Sequence, residues 1–132
     1  MKLYINADGG SRGNPGPAAI GVVVLDENKK VLETCKEKIG IASNNIAEYK
    51  ALIKGLELAS KHKANEVYVI MDSELVVRQM NGEYKVKAAH LLPLHTTAKE
   101  LAKNFPKVFY TNVLREYNAH ADMLVNEALD ER

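Results

Sequence analysis

Cysteine, long apolar runs and an excess of charge of one sign are all scarce in this chain, and each scarcity excludes a class of protein. The single cysteine, Cys35, cannot form an internal disulfide, so we expect a reducing, cytoplasmic environment. No apolar run approaches the roughly 20 residues of a membrane span, so no membrane partner is expected. The formal net charge of +1 lacks the strongly basic character of many nucleic-acid-binding domains. Any function must therefore be inferred from local motifs.

The remaining composition is that of one globular domain. The chain has 132 residues, of which 46% are hydrophobic and 27% are charged. This length is ordinary for one domain and short for two. The sequence contains neither an internal repeat nor a stretch that resembles an interdomain linker. Residues 1–132 are therefore predicted to form a single domain, and we expect a monomer.

The order of predicted strands and helices favours an α/β fold. Apolar alternation and short apolar runs indicate strands, whereas a helical period of apolar residues indicates helices. Three strands in succession, followed by alternating helices and strands, imply a mixed sheet covered by helices and completed through right-handed crossovers. The predicted strands are Leu3 to Asp8, Ala18 to Leu25, Val31 to Ile39, Glu66 to Met71 and Lys107 to Leu114, and the predicted helices are Asn45 to about His62, Ser73 to Met80, Pro93 to Asn104 and Ala119 to Asp130.

Glu48 is the acidic residue whose place in its predicted helix is most informative. At about 100° per residue, it shares a stripe with Leu52, Gly55 and Ala59 and so faces the sheet. Burying a carboxylate without a partner costs several kcal/mol, which favours a functional role for this residue. The alternative is a solvated glutamate that interacts with the helix dipole.

Three aspartates also lie where a strand ends or a helix begins. Asp72 follows an apolar strand, at the sheet edge where α/β proteins bind ligands. The alternative for Asp72 is a helix N-cap. Asp8 is predicted to end the first strand, where it could instead start an Asx turn. Asp122 lies in the first turn of the last helix, where the helix dipole alone could account for it.

Together the four carboxylates predict a site for a hard cation. One shared site explains their placement more simply than four coincidences. Oxygen ligands without a supporting Cys or His cluster suit Mg²⁺ or Mn²⁺ rather than zinc. The glycine-rich loop from Gly9 to Gly16 lacks the spacing of nucleotide-binding motifs. Its backbone can nevertheless approach a bulky anionic ligand, although a flexible connection between strands would also account for it.

Four strings of residues resemble the type 1 ribonuclease H family. Their order and spacing agree with the family across nearly the whole chain. The resemblance implies a ribonuclease H-like fold, with a five-stranded mixed sheet in the order 3-2-1-4-5 and the carboxylates converging on its central strands. The strings are Asp8-Gly-Gly-Ser-Arg-Gly-Asn14-Pro15-Gly16-Pro17, Ser43-Asn44-Asn45-Ile-Ala-Glu48-Tyr, Met71-Asp72-Ser73 and Asn118-Ala-His-Ala121-Asp122.

The resemblance also implies an activity and a cofactor. Asp8, Glu48, Asp72 and Asp122 would bind two Mg²⁺ ions, with Mn²⁺ as a substitute, and cut the RNA strand of RNA/DNA hybrids to 5′-phosphate and 3′-hydroxyl ends. Two ions roughly 3.5 to 4 Å apart suit phosphodiester hydrolysis. The alternatives are a broader nuclease that also cuts double-stranded RNA and a non-catalytic hybrid-binding module. The intact carboxylate set disfavours the binding module, because a pure binder gains nothing from negative charge beside phosphates.

Polar residues near the glycine-rich loop and the helix starts are expected to contact nucleic acid. Amides and hydroxyls suit an RNA 2′-hydroxyl, which both donates and accepts hydrogen bonds. The run from Ser43 to Asn45 could also serve as a helix N-cap. The candidate contacts are Gly9, Gly10, Arg12, Asn14, Ser43, Asn44, Asn45 and Ser73.

The chain departs from the family in three places. The segment before Asn118 leaves no room for the loop that carries a histidine in many members. Arg115 is therefore the candidate for aiding product release, and His120 is predicted to be a surface residue. The basic helix and loop that some members insert after the third carboxylate are absent, which predicts a low affinity for hybrids. Glu74 stands where the family often has a glutamine, which adds negative charge near the site.

Overall fold

The computed structural model of the protein describes residues 1–131, in which a five-stranded sheet carries helices on both faces. None of the helices in this range combines the length and the apolar surface that a bilayer crossing needs. The strands are β1 (Lys2–Ser11), β2 (Gly16–Leu25), β3 (Val31–Ala42), β4 (Glu66–Met71) and β5 (Lys107–Asn112). The helices are α1 (Asn44–Ala59), α2 (Glu74–Met80), α3 (Leu92–Ala102) and α4 (Ala119–Asp130), with short 3₁₀ helices at Ser60–His62 and Arg115–Asn118.

The sheet has the strand order β3-β2-β1-β4-β5. β1, β2 and β3 form an antiparallel meander, whereas β4 lies parallel to β1 and β5 lies parallel to β4. α2 and α3 make the long connection that the parallel neighbours β4 and β5 require. The predicted α/β class, the mixed sheet and its strand order are therefore confirmed.

β1 is longer than the sequence pattern predicts. Its antiparallel ladder with β2 continues until Ser11 pairs with Ala18. Pairing with a neighbouring strand can hold residues that have little strand propensity of their own, such as the glycines of this segment. The prediction that Asp8 ends the first strand is therefore wrong, because Asp8 lies inside β1 and pairs with Gly21.

The main core lies between the sheet and α1. Leu52 and Leu56 of α1 are fully buried in the same cluster as Leu3 and Ile5 of β1. Gly55 brings α1 close to the sheet, because a Cβ atom at this position would lie 2.7 Å from Cγ2 of Ile5. Buried residues of α2 and α3 belong to the same cluster. α1, α2 and α3 thus form one helical layer.

α4 covers the opposite face of β1, β2 and β3. Ala19 of β2 is buried against Val125 and Ala128 of α4. Successive side chains of a strand alternate between the two faces. Accordingly, Ile20, next to Ala19, belongs to the core on the α1 side. The sheet therefore lies between two helical layers, and the start of α4 packs against β2 at Gly21.

Candidate active site

β1 and β4 separate close to two of the predicted site residues, Asp8 within β1 and Asp72 just after β4. The parallel ladder between the strands ends with Asn6 opposite Ile70. Asp8 and Asp72 each follow this last pair by two residues. Their carboxyl groups are close enough to share a hydrogen bond. The separation of the two strands thus leaves a cleft in which these two carboxyl groups meet.

Gly9 allows the start of α1 to lie directly against β1. A Cβ atom at Gly9 would overlap the backbone carbonyl group of Ala47, so a larger residue would displace the helix. α1 begins at its N-cap Ser43, whose hydroxyl accepts a hydrogen bond from the backbone N–H of Ile46 at 3.3 Å. Because Ala47 is held against β1, the next residue, Glu48, extends into the cleft.

Gly21 has the same role for α4. It pairs with Asp8 across the β1–β2 ladder. A Cβ atom at Gly21 would overlap the backbone carbonyl oxygen of Ala121. Asp122, the next residue, lies in the first turn of α4. Two glycines therefore position the two helices that carry the second and fourth carboxylates.

The four predicted carboxylates share one cavity of about 330 Å³. Asp8 is 7% exposed, and the other three are half-buried. Most of the rest of the wall is formed by the glycine-rich end of β1 and one side of α4, and Arg12, Asn44 and Arg115 complete it. The lining residues are Asp8, Gly9, Gly10, Ser11, Arg12, Asn44, Glu48, Asp72, Arg115, Asp122, Val125, Asn126 and Leu129.

Burial and mutual repulsion favour the protonated form of two of these carboxyl groups. The pKa of Asp8 rises from its usual 3.8 to about 9, first because of burial, then because of the charge of Asp72 and the hydrogen bond shared with it. The charges of Asp122 and Glu48 raise the pKa of Asp8 further. Burial also raises the pKa of Glu48 to about 7, although a hydrogen bond with Ser73 acts in the opposite direction. Such shifts are expected where acidic groups crowd into a partly buried cleft.

The donor set of the cavity fits a hard divalent cation. Four carboxylates supply only oxygen ligands, which Mg²⁺ and Mn²⁺ prefer. A cation would also offset the repulsion that raises the pKa of Asp8. Across residues 1–131, however, no three acidic, histidine or cysteine side chains lie close enough together to make a preformed metal cluster. The carboxylates thus share a cavity without forming a finished coordination shell.

Asn118 connects the cleft to the last helix. It is fully buried, and its side-chain amide donates to the backbone carbonyl of Ala7 at 2.9 Å and to Oδ1 of Asp72 at 3.4 Å. Its own Oδ1 accepts a hydrogen bond from Asn6 at 3.2 Å. The motif around Asn118 does not reveal this role, and Asn6 lies outside every motif. The period-two alternation that places Asn6 on the same side of β1 as Asp8 is the signal that could have found it.

Arg115 forms an ion pair with Asp122 at the rim of the cavity. Its Nη2 and Nε atoms lie 2.9 Å and 3.3 Å from Oδ1 of Asp122, and its side chain is 70% exposed. The 3₁₀ helix that contains Arg115 joins β5 to α4 without an additional loop. His120 is exposed, as predicted for a surface residue, and is not part of the cavity wall.

Hydrogen bonds tie the glycine-rich loop to the start of α1. Oδ1 of Asn44 accepts hydrogen bonds from the backbone N–H of Ser11 at 2.9 Å and from its hydroxyl at 3.0 Å. Oδ1 of Asn14 accepts one from the backbone N–H of Asn44 at 3.1 Å. These contacts fix the loop beside the cavity. The predicted nucleic-acid contacts that line the cavity are Gly9, Gly10, Arg12 and Asn44.

The remaining predicted contacts do not line the cavity. Ser43 is the N-cap of α1, as the alternative interpretation of the run from Ser43 to Asn45 proposed. Ser73 is the N-cap of α2, with its hydroxyl accepting a backbone N–H at 3.2 Å. The alternative interpretation of Asp72 as that cap is therefore wrong. Asn45 lies in the first turn of α1, outside the cavity wall.

Similarity to known proteins extends over almost the whole chain. Residues 6–128 match the family described as reverse transcriptase-like. The chain is 51% identical over 131 residues to the bifunctional protein Rv2228c of Mycobacterium tuberculosis, an alignment that covers 98% of this chain and 36% of the relative. It superimposes on the crystal structure of RNase H1 from Halobacterium salinarum with a TM-score of 0.96, 38% identity and complete coverage of both chains.

A second solved structure, LC11-RNase H1 in complex with an RNA/DNA hybrid, gives a TM-score of 0.92 at 46% identity, covering 97% of this chain and 96% of that one. The chain spans just over a third of the length of the mycobacterial relative. The family match contains all four carboxylates of the cavity. The chain therefore belongs to the ribonuclease H-like family.

Proposed function

We propose that the protein is a divalent-metal-dependent endonuclease that hydrolyses the RNA strand of RNA/DNA hybrids to 5′-phosphate and 3′-hydroxyl ends. The observation that carries this proposal is the convergence of Asp8, Glu48, Asp72 and Asp122 on one cavity. Two structural relatives named RNase H1, one of them in complex with an RNA/DNA hybrid, support it. We also propose that residues 1–132 act as one monomeric ribonuclease H-like domain.

The four carboxylates would hold Mg²⁺, with Mn²⁺ as a substitute. When two such ions are bound, they supply an activated water, neutralisation of phosphate charge and stabilisation of the leaving oxygen. The chain supplies oxygen ligands, and the orientation of one of them is restrained because Asn118 donates to Oδ1 of Asp72. The partial burial of these groups strengthens their attraction to a cation relative to the same groups in water.

Other residues of the cavity would orient the substrate strand. Gly10 presents backbone without a side chain at the cavity wall, so a sugar–phosphate chain can approach closely, and Gly9 beside it lets α1 lie against β1. Asn44 places an amide at the same wall; its Oδ1 already accepts from Ser11, and its amide N–H groups can donate to an RNA 2′-hydroxyl. Arg115 lies at the rim, where a guanidinium can contact a phosphate oxygen and aid the departure of the product.

The proposal is tested by incubating the protein with labelled RNA/DNA, RNA/RNA and DNA/DNA duplexes in Mg²⁺, Mn²⁺ or EDTA. We expect cleavage of the RNA strand of the hybrid with either metal and none in EDTA. Asp26→Asn is a matched control, because Asp26 lies in the β2–β3 turn and accepts backbone hydrogen bonds that an amide oxygen can also accept. Asp8→Asn should be inactive under conditions in which Asp26→Asn is active.

The three duplexes also separate the alternatives. Cleavage of double-stranded RNA at a comparable rate would establish the broader nuclease. Binding of the hybrid without cleavage in either metal would establish a binding module and reject the proposed hydrolysis. The product ends are determined by labelling the 5′ end of the cleaved RNA with and without prior phosphatase treatment. A 5′-phosphate product accepts the label only after the phosphatase has removed its phosphate.

A further inference from the structure

Three cations from two parts of the chain contact the acidic end of α4. Nη2 of Arg12, in the β1–β2 loop, lies 2.6 Å from Oδ1 of Asp130. Nζ of Lys36 on β3 lies 2.7 Å from Oε1 of Glu131. Nζ of Lys38, also on β3, donates to the backbone carbonyl of Glu131. The acidic end of α4, defined here as Asp130 and Glu131, is therefore held by a basic cluster, defined as Arg12, Lys36 and Lys38.

The sheet register places the lysines of the basic cluster on the α4 side. Lys36 pairs with Gly21, and Lys38 pairs with Ala19. Gly21 and Ala19 both contact α4, and paired residues of neighbouring strands share a face. The two lysines are therefore directed toward α4 by the fold, and their position does not depend on the ion pairs.

The basic cluster is continuous with the cavity of the four carboxylates. Arg12 lines that cavity, and α4 runs from Asp122 in the cavity to Asp130 in the ion pair. Eight residues of helix correspond to about 12 Å. Successive phosphates of one strand in a duplex lie about 3.4 Å apart along its axis. The distance from the carboxylates to this cluster therefore corresponds to the axial rise of about three or four nucleotides, which is within reach of a strand that has one phosphate in the cavity.

The contacts of the acidic end are of the kind that phosphate groups can replace. In the pair of Arg12 with Asp130 the side chains are 49% and 67% exposed, and in the pair of Lys36 with Glu131 they are 41% and 53% exposed. Exposed ion pairs contribute little to stability, so breaking them costs the fold little. Arg and Lys also form charge-assisted hydrogen bonds to phosphate oxygens. The three cations outnumber the two carboxylates of the acidic end, and Lys38 contacts a backbone carbonyl rather than a carboxylate.

We propose that Arg12, Lys36 and Lys38 form a second binding site for the phosphate backbone of the substrate, and that the acidic end of α4 covers this site in the free protein. This inference rests on the proposed action on RNA/DNA hybrids. A hybrid that enters the cavity displaces Asp130 and Glu131 from the basic cluster. The contact is autoinhibitory, because part of the binding free energy is used to break the intramolecular ion pairs.

The test is the double variant D130N/E131Q, which removes both carboxylates and keeps the side-chain shapes. Fluorescence anisotropy with a labelled RNA/DNA hybrid is measured in EDTA at several NaCl concentrations, and cleavage kinetics are measured in Mg²⁺. We expect Kd to fall about 3- to 10-fold at low salt. The gain in affinity should shrink as the salt concentration rises, because salt also weakens the ion pairs that cover the cluster in the wild type. KM should fall, and kcat should remain within about twofold.

Glu100→Gln is the matched control for removal of negative charge. Glu100 pairs with Lys103 at 2.9 Å on α3, with both side chains exposed. This variant should change Kd less than twofold. Adding Arg12→Ala to D130N/E131Q should cancel much of the gain in affinity, whereas Arg12→Ala alone should have a smaller effect because the guanidinium is already paired.

The outcomes distinguish the inference from the proposed function. If the wild type neither binds nor cuts the hybrid, the proposed function fails. If the wild type cuts the hybrid but D130N/E131Q binds no more tightly than Glu100→Gln, the inference alone is overturned. Equal melting temperatures of wild type and variants establish that the comparison is made between folded proteins. The inference would also be overturned if D130N/E131Q kept its full gain in affinity when Arg12→Ala, Lys36→Ala and Lys38→Ala were added to it.

Discussion

At the scale of the single residue, the carboxylate of Asp8 destabilises the metal-free fold, although the proposed metal binding requires it. It is 7% exposed, and burial together with three neighbouring acids raises its pKa to about 9. An ionised carboxylate in this position opposes folding of the metal-free protein. A strongly perturbed acid in a cleft is typical of functional sites. Substitution should therefore separate function from stability.

We expect Asp8→Asn to reduce cleavage by about 10³-fold, the scale on which loss of a group that stabilises the transition state acts. In EDTA its melting temperature should equal or exceed that of the wild type, because one charge of the crowded cluster is removed. Initial rates at saturating Mg²⁺ and thermal melts in EDTA measure the two effects. Activity near that of the wild type, or a clear loss of thermal stability, would show that Asp8 is structural.

The stability of the metal-free protein should fall as the pH rises. The pKa of Asp8 is about 9 in the folded protein and about 3.8 when unfolded, so the folded state binds more protons between these values. The stabilisation of the folded state by the neutral carboxyl group of Asp8 is complete below about pH 4 and is lost as the pH approaches 9. Glu48 contributes in the same direction up to about pH 7. We therefore expect the melting temperature in EDTA to decrease steadily from pH 5 to pH 8, as thermal melts at several pH values would show.

The control for this pH dependence is Asp8→Asn, which removes the largest contribution. Its melting temperature should vary less between pH 5 and pH 8 than that of the wild type. Identical pH profiles for the two proteins would contradict the assignment of the effect to Asp8.

The absence of an imidazole from the described cavity wall predicts the pH profile of the rate. No histidine lines the cavity, so the rate should show no step near about 6.5, the pKa of an ordinary imidazole. We expect His120→Ala to retain activity within about twofold. Arg115→Ala should lower kcat more than it raises KM, because the guanidinium lies at the rim beside Asp122. A His120→Ala variant that loses most activity and an inflection near neutrality would contradict the surface assignment.

Sequence reasoning reached the four acids because their motifs are local, and it missed residues whose role depends on distant contacts. Asn118 donates to Ala7, 111 residues away in the sequence. Nothing in its immediate neighbours encodes that contact. The choice between Asp72 and Ser73 as the cap of α2 also depends on the path of the chain after β4. Both residues are suitable caps, and the structure selects Ser73.

At the scale of the element, two glycines position the helices that carry Glu48 and Asp122. We expect Gly9→Ala to destabilise the protein by about 1 to 3 kcal/mol, the usual cost of overpacking, because α1 must move away from β1. Activity should fall as well, since Glu48 moves with the helix. Urea unfolding measures the loss of stability, and cleavage rates measure the displacement of Glu48.

Gly10→Ala is the matched control for stability, because a Cβ atom at Gly10 meets only Cγ1 of Val125 at 3.6 Å. This is an ordinary van der Waals distance, so the unfolding midpoint should change little. Equal midpoints for Gly9→Ala and Gly10→Ala would show that α1 is not held against β1 as described.

The types of the elements were predictable from periodicity, whereas several of their ends were not. The predicted helix from Asn45 to about His62 corresponds to α1 followed by a 3₁₀ turn. The predicted strand from Lys107 to Leu114 ends at Asn112, beyond which Leu114 is 67% exposed. Leu114 continues the apolar pattern of the sequence, but the hydrogen-bonded ladder between β5 and β4 ends at Asn112. Strand ends depend on the partner strand, which periodicity alone does not specify.

At the scale of the whole molecule, we expect the near-neutral net charge to limit the affinity for nucleic acid. We expect binding of a hybrid by the wild type to weaken with salt, with a slope of about 3 or less in log Kd against log salt, because few exposed cations, such as Arg12, Lys85 and Lys87, can contact phosphates. Anisotropy titrations between 50 and 200 mM NaCl measure this slope. Tight binding that persists at the higher salt would require a basic surface beyond these residues.

The strand order was predictable because the resemblance covers almost the whole chain, while composition alone gave only the α/β class. The positions of α1 and α4 on opposite faces follow from alternation along β2, where Ala19 and Ile20 face different helices. That alternation is hidden in the sequence, because nearly all of β2 is buried on both faces. The cavity between the two layers therefore required the structure.

The distribution of the four carboxylates along the chain has a consequence for synthesis of the protein. Asp8 and Glu48 belong to the first half of the chain, Asp72 follows the fourth strand, and Asp122 belongs to the last helix. No translated fragment that ends before residue 122 contains the complete set, and docking of α4 against β2 must follow. A nascent chain whose α4 has not yet left the ribosome therefore lacks the complete set of carboxylates. The proposed cleavage requires the docking of the last helix on the sheet.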